Sequence, residues 1–218
     1  MTYTDFVCGE LNAVNPGLPI YISQISEKLA AAYGLEQSAA AAATSVAVKR
    51  IMDSSLVPEL RCYQKGIYYL TAATPFGELG INKERLISDK YLTSDRGYET
   101  GLGLLHRMGL TTQMPRDRVL ATNVAKSGTR LDERLGVIIR PAKTEINADN
   151  KAYLQMLDVL DSFGKAPIDA VQPYAIAAQH IRNKGLQYER LLSLADRYYN
   201  KNTILQIAHT AAEGGEHT

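Results

Sequence analysis

Apolar and polar positions follow one rhythm in the first quarter of the chain and others afterwards. Phe6, Val7 and Leu11 can share one face of a helix over residues 3–14, which Asn15-Pro16-Gly17 stops. Residues 18–21 (LPIY) form a short extended piece. Ser23 can cap a second helix over 24–33, with Ile25 and Leu29 inward and Gly34 as its stop. A third helix, 37–54, is built on five consecutive alanines, residues 39–43. Ala40, Thr44, Ala47, Val48 and Ile51 form its small-residue inner face. Ser38, Ala41, Ala42, Ser45, Lys49 and Met52 lie on the other side. The pattern then shortens: residues 56–60, a turn, and 66–70 read as two strands of a hairpin.

Residues 72–77 (AATPFG) mark the joint between domains, with Thr74-Pro75-Phe76-Gly77 as a breaker cluster. Beyond it, residues 83–92 read as a short helix and 98–108 as another, carrying Leu102 and Leu105 and ending at Gly109 as its C′ glycine. Asp95-Arg96 would cap that helix and form a local charge pair. Thr111-Thr112-Gln113 follow as a polar run, and Pro115 forbids helical continuation. Residues 118–122 and 135–140 read as strands, with a turn at 125–128. The rest is helical, over 150–163, 168–184, 188–199 and 202–212, with Pro167 and Asp169 at the start of the second of these and GGEHT fraying at the end. The expected class is α+β. Three helices and a hairpin in residues 1–73 make the winged helix-turn-helix arrangement. Residues 74–218 make a second domain, a small sheet with flanking helices ending in a set of short helices.

Composition adds mainly exclusions. The 218 residues carry 45% hydrophobic positions, enough for a core, and a net charge of +1, so bulk charge does not drive nucleic-acid binding. No run of 18 apolar residues and no basic, apolar leader stands in the chain, so the expectation is a cytoplasmic protein without a membrane partner. Cys8 and Cys62 match no metal spacing and are expected as reduced core thiols. The histidines, His106, His180, His209 and His217, are scattered without a metal motif. No phosphate-binding loop or nucleophile elbow occurs, and Gly101-Leu102-Gly103 is read as lying inside a helix with no strand before it. The expectation is no enzyme, no cofactor and no metal.

Chemistry concentrates in three places. A third helix with small outward residues can enter a DNA major groove, with Ser38, Ser45, Lys49 and Arg50 near backbone or bases. Arg61, Tyr63, Gln64 and Lys65, near the hairpin tip, would be the wing. Against this, residues 1–73 hold five basic and six acidic side chains, a net of −1. An alanine-rich helix can also be simply a tightly packed one, and winged helices also bind proteins. Residues 116–143 are the most basic window, with seven basic side chains (Arg116, Arg118, Lys126, Arg130, Arg134, Arg140, Lys143) against three acidic. It reads equally as a solvated hairpin edge or a phosphate-contacting patch. Thr111, Thr112 and Gln113 either close a connection by satisfying loop backbone groups or form a functional surface.

The wording at several of these places is specific. GIYY (66–69) after Lys65, TPFG (74–77), GLTTQMP (109–115) and a strand ending Thr122-Asn123 resemble the AbiEi-like antitoxins of bacterial type IV toxin–antitoxin, or abortive-infection, systems, in particular a small subfamily with a GLTTQVP motif, where this chain has Met114. The resemblance is strongest over 66–123 and weak after 150. It implies an N-terminal winged helix that binds double-stranded operator DNA and represses its own operon. It also implies a C-terminal domain that counters a nucleotidyltransferase-like toxin without a stable complex. A monomer or weak dimer is expected. On that basis the operator contacts would be Ser38, Ser45, Lys49, Arg50, Tyr63 and Lys65, with Arg61 beside them, and Thr111, Thr112, Gln113, Arg116, Arg118, Arg130 and Arg134 would form a second functional surface. Two other classes remain open: a stand-alone winged-helix regulator with a dimerising or ligand-sensing C-terminal domain, and a nucleic-acid-processing enzyme, which the residue inventory disfavours.

Overall fold

A computed structural model describes residues 2–215. His217 and the last part of GGEHT, where fraying was expected, lie outside the described residues. The chain is mixed α+β and divides into two compact units between Leu86 and Ile87, further along than the joint expected at 72–77.

The first unit begins with α1 (Tyr3–Asn12), whose N-terminus is closed by a reciprocal cap: Thr2 Oγ accepts from the Asp5 amide, and the Asp5 carboxylate accepts from the Thr2 amide. That cap holds the Asp5 carboxyl below its usual range. Strand β1 (Ile20–Tyr21) runs into α2 (Ile22–Tyr33) with no linker, so Tyr21, and not Ser23, stands at the cap position. Gly34, at φ 64°, ends α2 in the left-handed conformation. After two more residues α3 (Gln37–Asp53) begins. Its buried positions are Ala40, Thr44, Ala47, Val48 and Ile51, the inner face expected from the spacing. Of these, Ala47, Val48 and Ile51 pack with Val7, Leu11, Ile25, Leu60 and Leu70. Each fully buried aliphatic side chain here contributes about 1.5–3 kcal/mol. The hairpin is β2 (Leu60–Gln64) and β3 (Ile67–Leu70), so its first strand starts where the sequence reading ended it. The sheet order is β1-β3-β2, all antiparallel. The Ile22 amide donates to the Gly66 carbonyl at 3.0 Å, hanging the start of α2 on the hairpin tip. A two-stranded ribbon, β4 (Ala73–Thr74) and β5 (Gly77–Glu78), occupies the TPFG segment.

The helix expected over 83–92 is α4 (Lys83–Ile87) continued by a π-helical stretch (Ser88–Leu92). The helix expected over 98–108 is corrected. Residues Gly97–Thr100 are a strand, β6, and only Leu102–Arg107 are helical, as α5. Tyr98 and Thr100 are buried while Glu99 is only partly so, an alternation with period two that fits a strand. Gly101, at φ 73°, breaks the chain between the elements, so Gly101-Leu102-Gly103 does follow a strand. Asp95 caps nothing here; its carboxylate pairs with Lys151 at 3.1 Å. Strand β7 (Arg118–Thr122) falls where expected; β8 (Arg130–Asp132) was not foreseen; β9 (Val137–Arg140) is the end of the expected 135–140 strand. The sheet order is β6-β7-β9-β8, with β7 and β9 parallel and the other neighbours antiparallel.

Four helices follow: α6 (Lys151–Asp161), α7 (Pro173–Asn183), α8 (Tyr188–Tyr198) and α9 (Lys201–Gly214). Helix α7 starts at Pro173, later than Pro167 and Asp169 suggested, because a proline at the first helical position needs no amide partner. Leu105, Leu110, Leu157, Leu160, Ile181, Leu191 and Ile207 form the core among these helices. Cys8 and Cys62 are both free, and Cys62 is exposed where a core thiol was expected. Among the described residues no helix is long and apolar enough to cross a membrane.

Gly97 is the tightest point of the second unit. A Cβ there would lie 2.0 Å from the Tyr91 carbonyl oxygen and 3.0 Å from that of Ala121. Gly97→Ala is therefore expected to destabilise the protein by about 3 kcal/mol in urea unfolding. Gly9, exposed in α1 with nothing within 4 Å of an added Cβ, is the contrast. Gly9→Ala is expected to stabilise by about 0.5–1 kcal/mol.

Candidate nucleic-acid interface

Helix α3 has a buried small-residue face and an exposed face. Ser38, Ala42, Ser45 and Lys49 recur at spacings of three, four and seven, so they share one exposed stripe. Arg50 is exposed but lies about 100° around the helix from Lys49, so it flanks the stripe. The Ser45 hydroxyl donates to the Ala41 carbonyl at 2.8 Å. It therefore offers outward only an acceptor, which narrows its expected role. Val46, half exposed at 50%, adds an apolar edge.

The hairpin divides its expected contacts. Lys65 is exposed at the tip beside Gly66, whose φ of 82° makes the turn. Tyr63 is the extra residue of a β-bulge, since Cys62 pairs with Tyr68 and Gln64 with Ile67. A bulge turns a side chain out of the ladder's alternation. Arg61 is corrected: it lies at the base of the hairpin opposite Tyr69, away from the tip. There Nη1 donates to the Pro58 carbonyl at 2.6 Å and Nη2 pairs with Glu78 at 3.5 Å. Ser38, Ser45, Lys49 and Lys65 are thus exposed, whereas Arg61 is held at the base of the hairpin by Pro58 and Glu78.

In the second unit the polar run is a latch. The Asp169 carboxylate accepts from the Thr112 amide at 2.9 Å and from its hydroxyl at 2.5 Å. The Leu110 carbonyl accepts from the amides of Asp169 and Ala170. Thr111 is buried, and its Oγ accepts from the Gln113 amide at 3.2 Å. Thr111 and Thr112 satisfy backbone and tie their loop to the α6–α7 connection; Gln113 and Met114 are left exposed. The basic window does not form one patch either. Arg116 and Lys126 are exposed, and Arg130 and Arg134 lie on and just after the edge strand β8, also exposed. Arg118 pairs with Glu99 at 3.0 Å. Arg140 points inward to Asp158, and the Lys143 ammonium lies 5.8 Å from the centre of the Tyr199 ring.

Asp158 is the group that sequence reasoning missed. It is 5% exposed and takes the Arg140 guanidinium, the Tyr199 hydroxyl at 2.8 Å and the Thr100 hydroxyl at 3.1 Å. Burial, reinforced by the Asp158 charge, pushes both the Tyr98 and Tyr199 phenols far above their usual range. A signal was present: in KAYLQMLDVLD, Asp158 interrupts the apolar stripe of α6, and a charge on a buried stripe demands a partner. Asp132 is a second such anchor. Burial raises its pKa, but hydrogen bonds from Lys90, Tyr91 and the Leu135 amide outweigh that and leave it lowered. Among the described residues no cluster of three or more His, Cys, Asp or Glu could hold a metal ion.

Two outcomes are expected. Asp158→Ala strands the Arg140 guanidinium and should cost about 3 kcal/mol in urea unfolding, with part recovered in the Asp158→Ala/Arg140→Met double variant. A carboxyl whose folded pKa is lowered gives stability that is present above its unfolded pKa and is lost as pH falls through the folded one. Thermal midpoints of the wild type should therefore fall more steeply than those of Asp132→Asn below about pH 4. No protein-family model, curated protein or solved structure matches this chain.

Proposed function

We propose that the first unit is a winged helix-turn-helix that presents α3 to the major groove of operator DNA, and that the whole chain is a type IV antitoxin that represses its own operon. The observation that carries the DNA reading is the order α1-β1-α2-α3-β2-β3 with an antiparallel β1-β3-β2 sheet, in which α3 exposes small residues and one lysine. A helix enters the major groove only if its outer side chains are short or chemically matched to base edges. Ser38, Ala42, Ser45 and Lys49 meet that condition, and Lys65 at the hairpin tip supplies a phosphate contact. The antitoxin reading rests on the motif resemblance at GIYY, TPFG, GLTTQMP and the Thr122-Asn123 strand end. The second unit would then supply toxin neutralisation, on a scaffold pinned by Asp158 and the Thr112–Asp169 latch.

The test is binding of the full chain to its own promoter DNA and to a scrambled duplex across a salt series, with Lys49→Ala and Lys65→Ala alongside. The expected result is preference for the promoter, weakened roughly tenfold in Lys49→Ala, with Lys65→Ala weakening both duplexes alike. Equal binding to both duplexes at every salt concentration would remove the repressor function. Promoter preference without rescue of cells from a co-expressed nucleotidyltransferase-like toxin would leave a stand-alone regulator.

A further inference from the structure

The four-stranded sheet of the second unit has one closed edge and one open edge. At the closed edge, Gly97, Tyr98 and Thr100 of β6 are buried, and the Glu99 carbonyl accepts from Gln155 Nε2 at 2.9 Å. At the open edge, β8 pairs with β9 alone, Arg130 and Leu131 are exposed, and so are the four residues before them. An open edge carries backbone amides and carbonyls that can pair with a further strand. Leu131 adds an apolar side chain, 52% exposed. Asp132 is fixed beside it. Its Oδ2 accepts from the Lys90 ammonium at 2.8 Å and the Tyr91 hydroxyl at 2.7 Å, while Oδ1 takes the Leu135 amide at 3.2 Å. A carboxylate oxygen has two lone pairs, so Oδ1 has room for a second donor.

The charges of β8 are their own complement. In an antiparallel pair of identical strands, a two-fold axis through one residue sets its neighbours on either side opposite one another. With the axis at Leu131, Arg130 of each copy stands opposite Asp132 of the other, and the two exposed leucines cover each other. Directly opposite side chains lie about 4.5–5.5 Å apart at Cβ, close enough for both contacts. An axis at Arg130 would oppose two arginines, and one at Asp132 two carboxylates. An axis between residues would set Leu131 against a charged side chain. We propose that two copies of this chain pair through β8, edge to edge and antiparallel, about a two-fold axis at Leu131, with each Arg130 bound to the Asp132 of the other copy. Arg130 also selects the partner: an edge arginine turns away a strand that offers a cation or an apolar side chain opposite it and admits one that offers a carboxylate. A strand of three residues buries less area than a tight complex needs, so the dimer is weak and reversible. The contact goes beyond the DNA reading and does not depend on it.

The experiment is sedimentation velocity of the full chain between about 5 and 500 µM, where a weak dimer grows in with concentration. Leu131→Arg and Arg130→Glu should each weaken the dimer about tenfold or more, the first by removing the apolar pair and the second by opposing two carboxylates. Both positions are exposed, so both variants should fold, and thermal melting checks it. The register is read by cross-linking with oxidised glutathione in a Cys62→Ser background, since Cys62 is exposed. Leu131→Cys should give a disulfide-linked dimer, because its two copies face each other across the axis. Arg130→Cys should not, because its two copies stand about 7–8 Å apart, beyond the reach of a disulfide. The Cys62→Ser parent, treated alike, is the control and should stay monomeric under reducing-free electrophoresis. A monomer at every concentration would overturn the proposal, and so would a dimer that Leu131→Arg leaves intact. Cross-linking of Arg130→Cys as complete as that of Leu131→Cys would overturn the axis at Leu131.

Discussion

The second unit hangs on one buried carboxylate. Thr100 comes from β6, Arg140 from the end of β9 and Tyr199 from the residue after α8, and all three meet Asp158 on α6. Sheet, first helix and helix-pair junction are therefore fixed relative to each other by one atom group. An apolar core tolerates sliding by small repacking. A buried charge with assigned donors does not, because any shift leaves a guanidinium or a hydroxyl without its partner. The Thr112–Asp169 latch repeats the idea at lower stakes, joining the GLTTQMP loop to the α6–α7 connection by three hydrogen bonds to one carboxylate.

In the first unit the corresponding constraint is size. Ala40 and Ala47 on the inner face of α3 let it lie close against α1 and α2, and Ala42 with Ser38 and Ser45 keep the opposite face low. Small residues thus stand on both faces, and those of the inner face are the ones the packing needs. The alanine run could not by itself say which was meant. The helix boundaries and the strand order separate them, by showing which alanines are covered.

Legibility in the sequence followed the length of the pattern. The five buried positions of α3 were readable because a helix of 17 residues repeats its period several times. Residues 97–108 were misread because four strand residues and six helical ones each give at most about two periods, and the breaker between them, Gly101, looks like any tolerated glycine. β8 was missed because three residues at an edge carry a single apolar side chain, Leu131, and that one is exposed. The basic window was legible as a count but not as a surface. Arg140 and Arg118 turned to Asp158 and Glu99, partners far off in sequence. Pairings of this kind depend on tertiary contacts that no local window contains.

The hydrogen bond from the Ile22 amide to the Gly66 carbonyl has a mechanical consequence. The hairpin tip has no hinge of its own at that side, because β1 passes into α2 without a linker and the first amide of the helix is held by the turn. Bending the tip is therefore the same motion as tilting the first turn of α2. A load applied at Lys65 is carried as torque into the start of α2, so hairpin and helix respond as one lever.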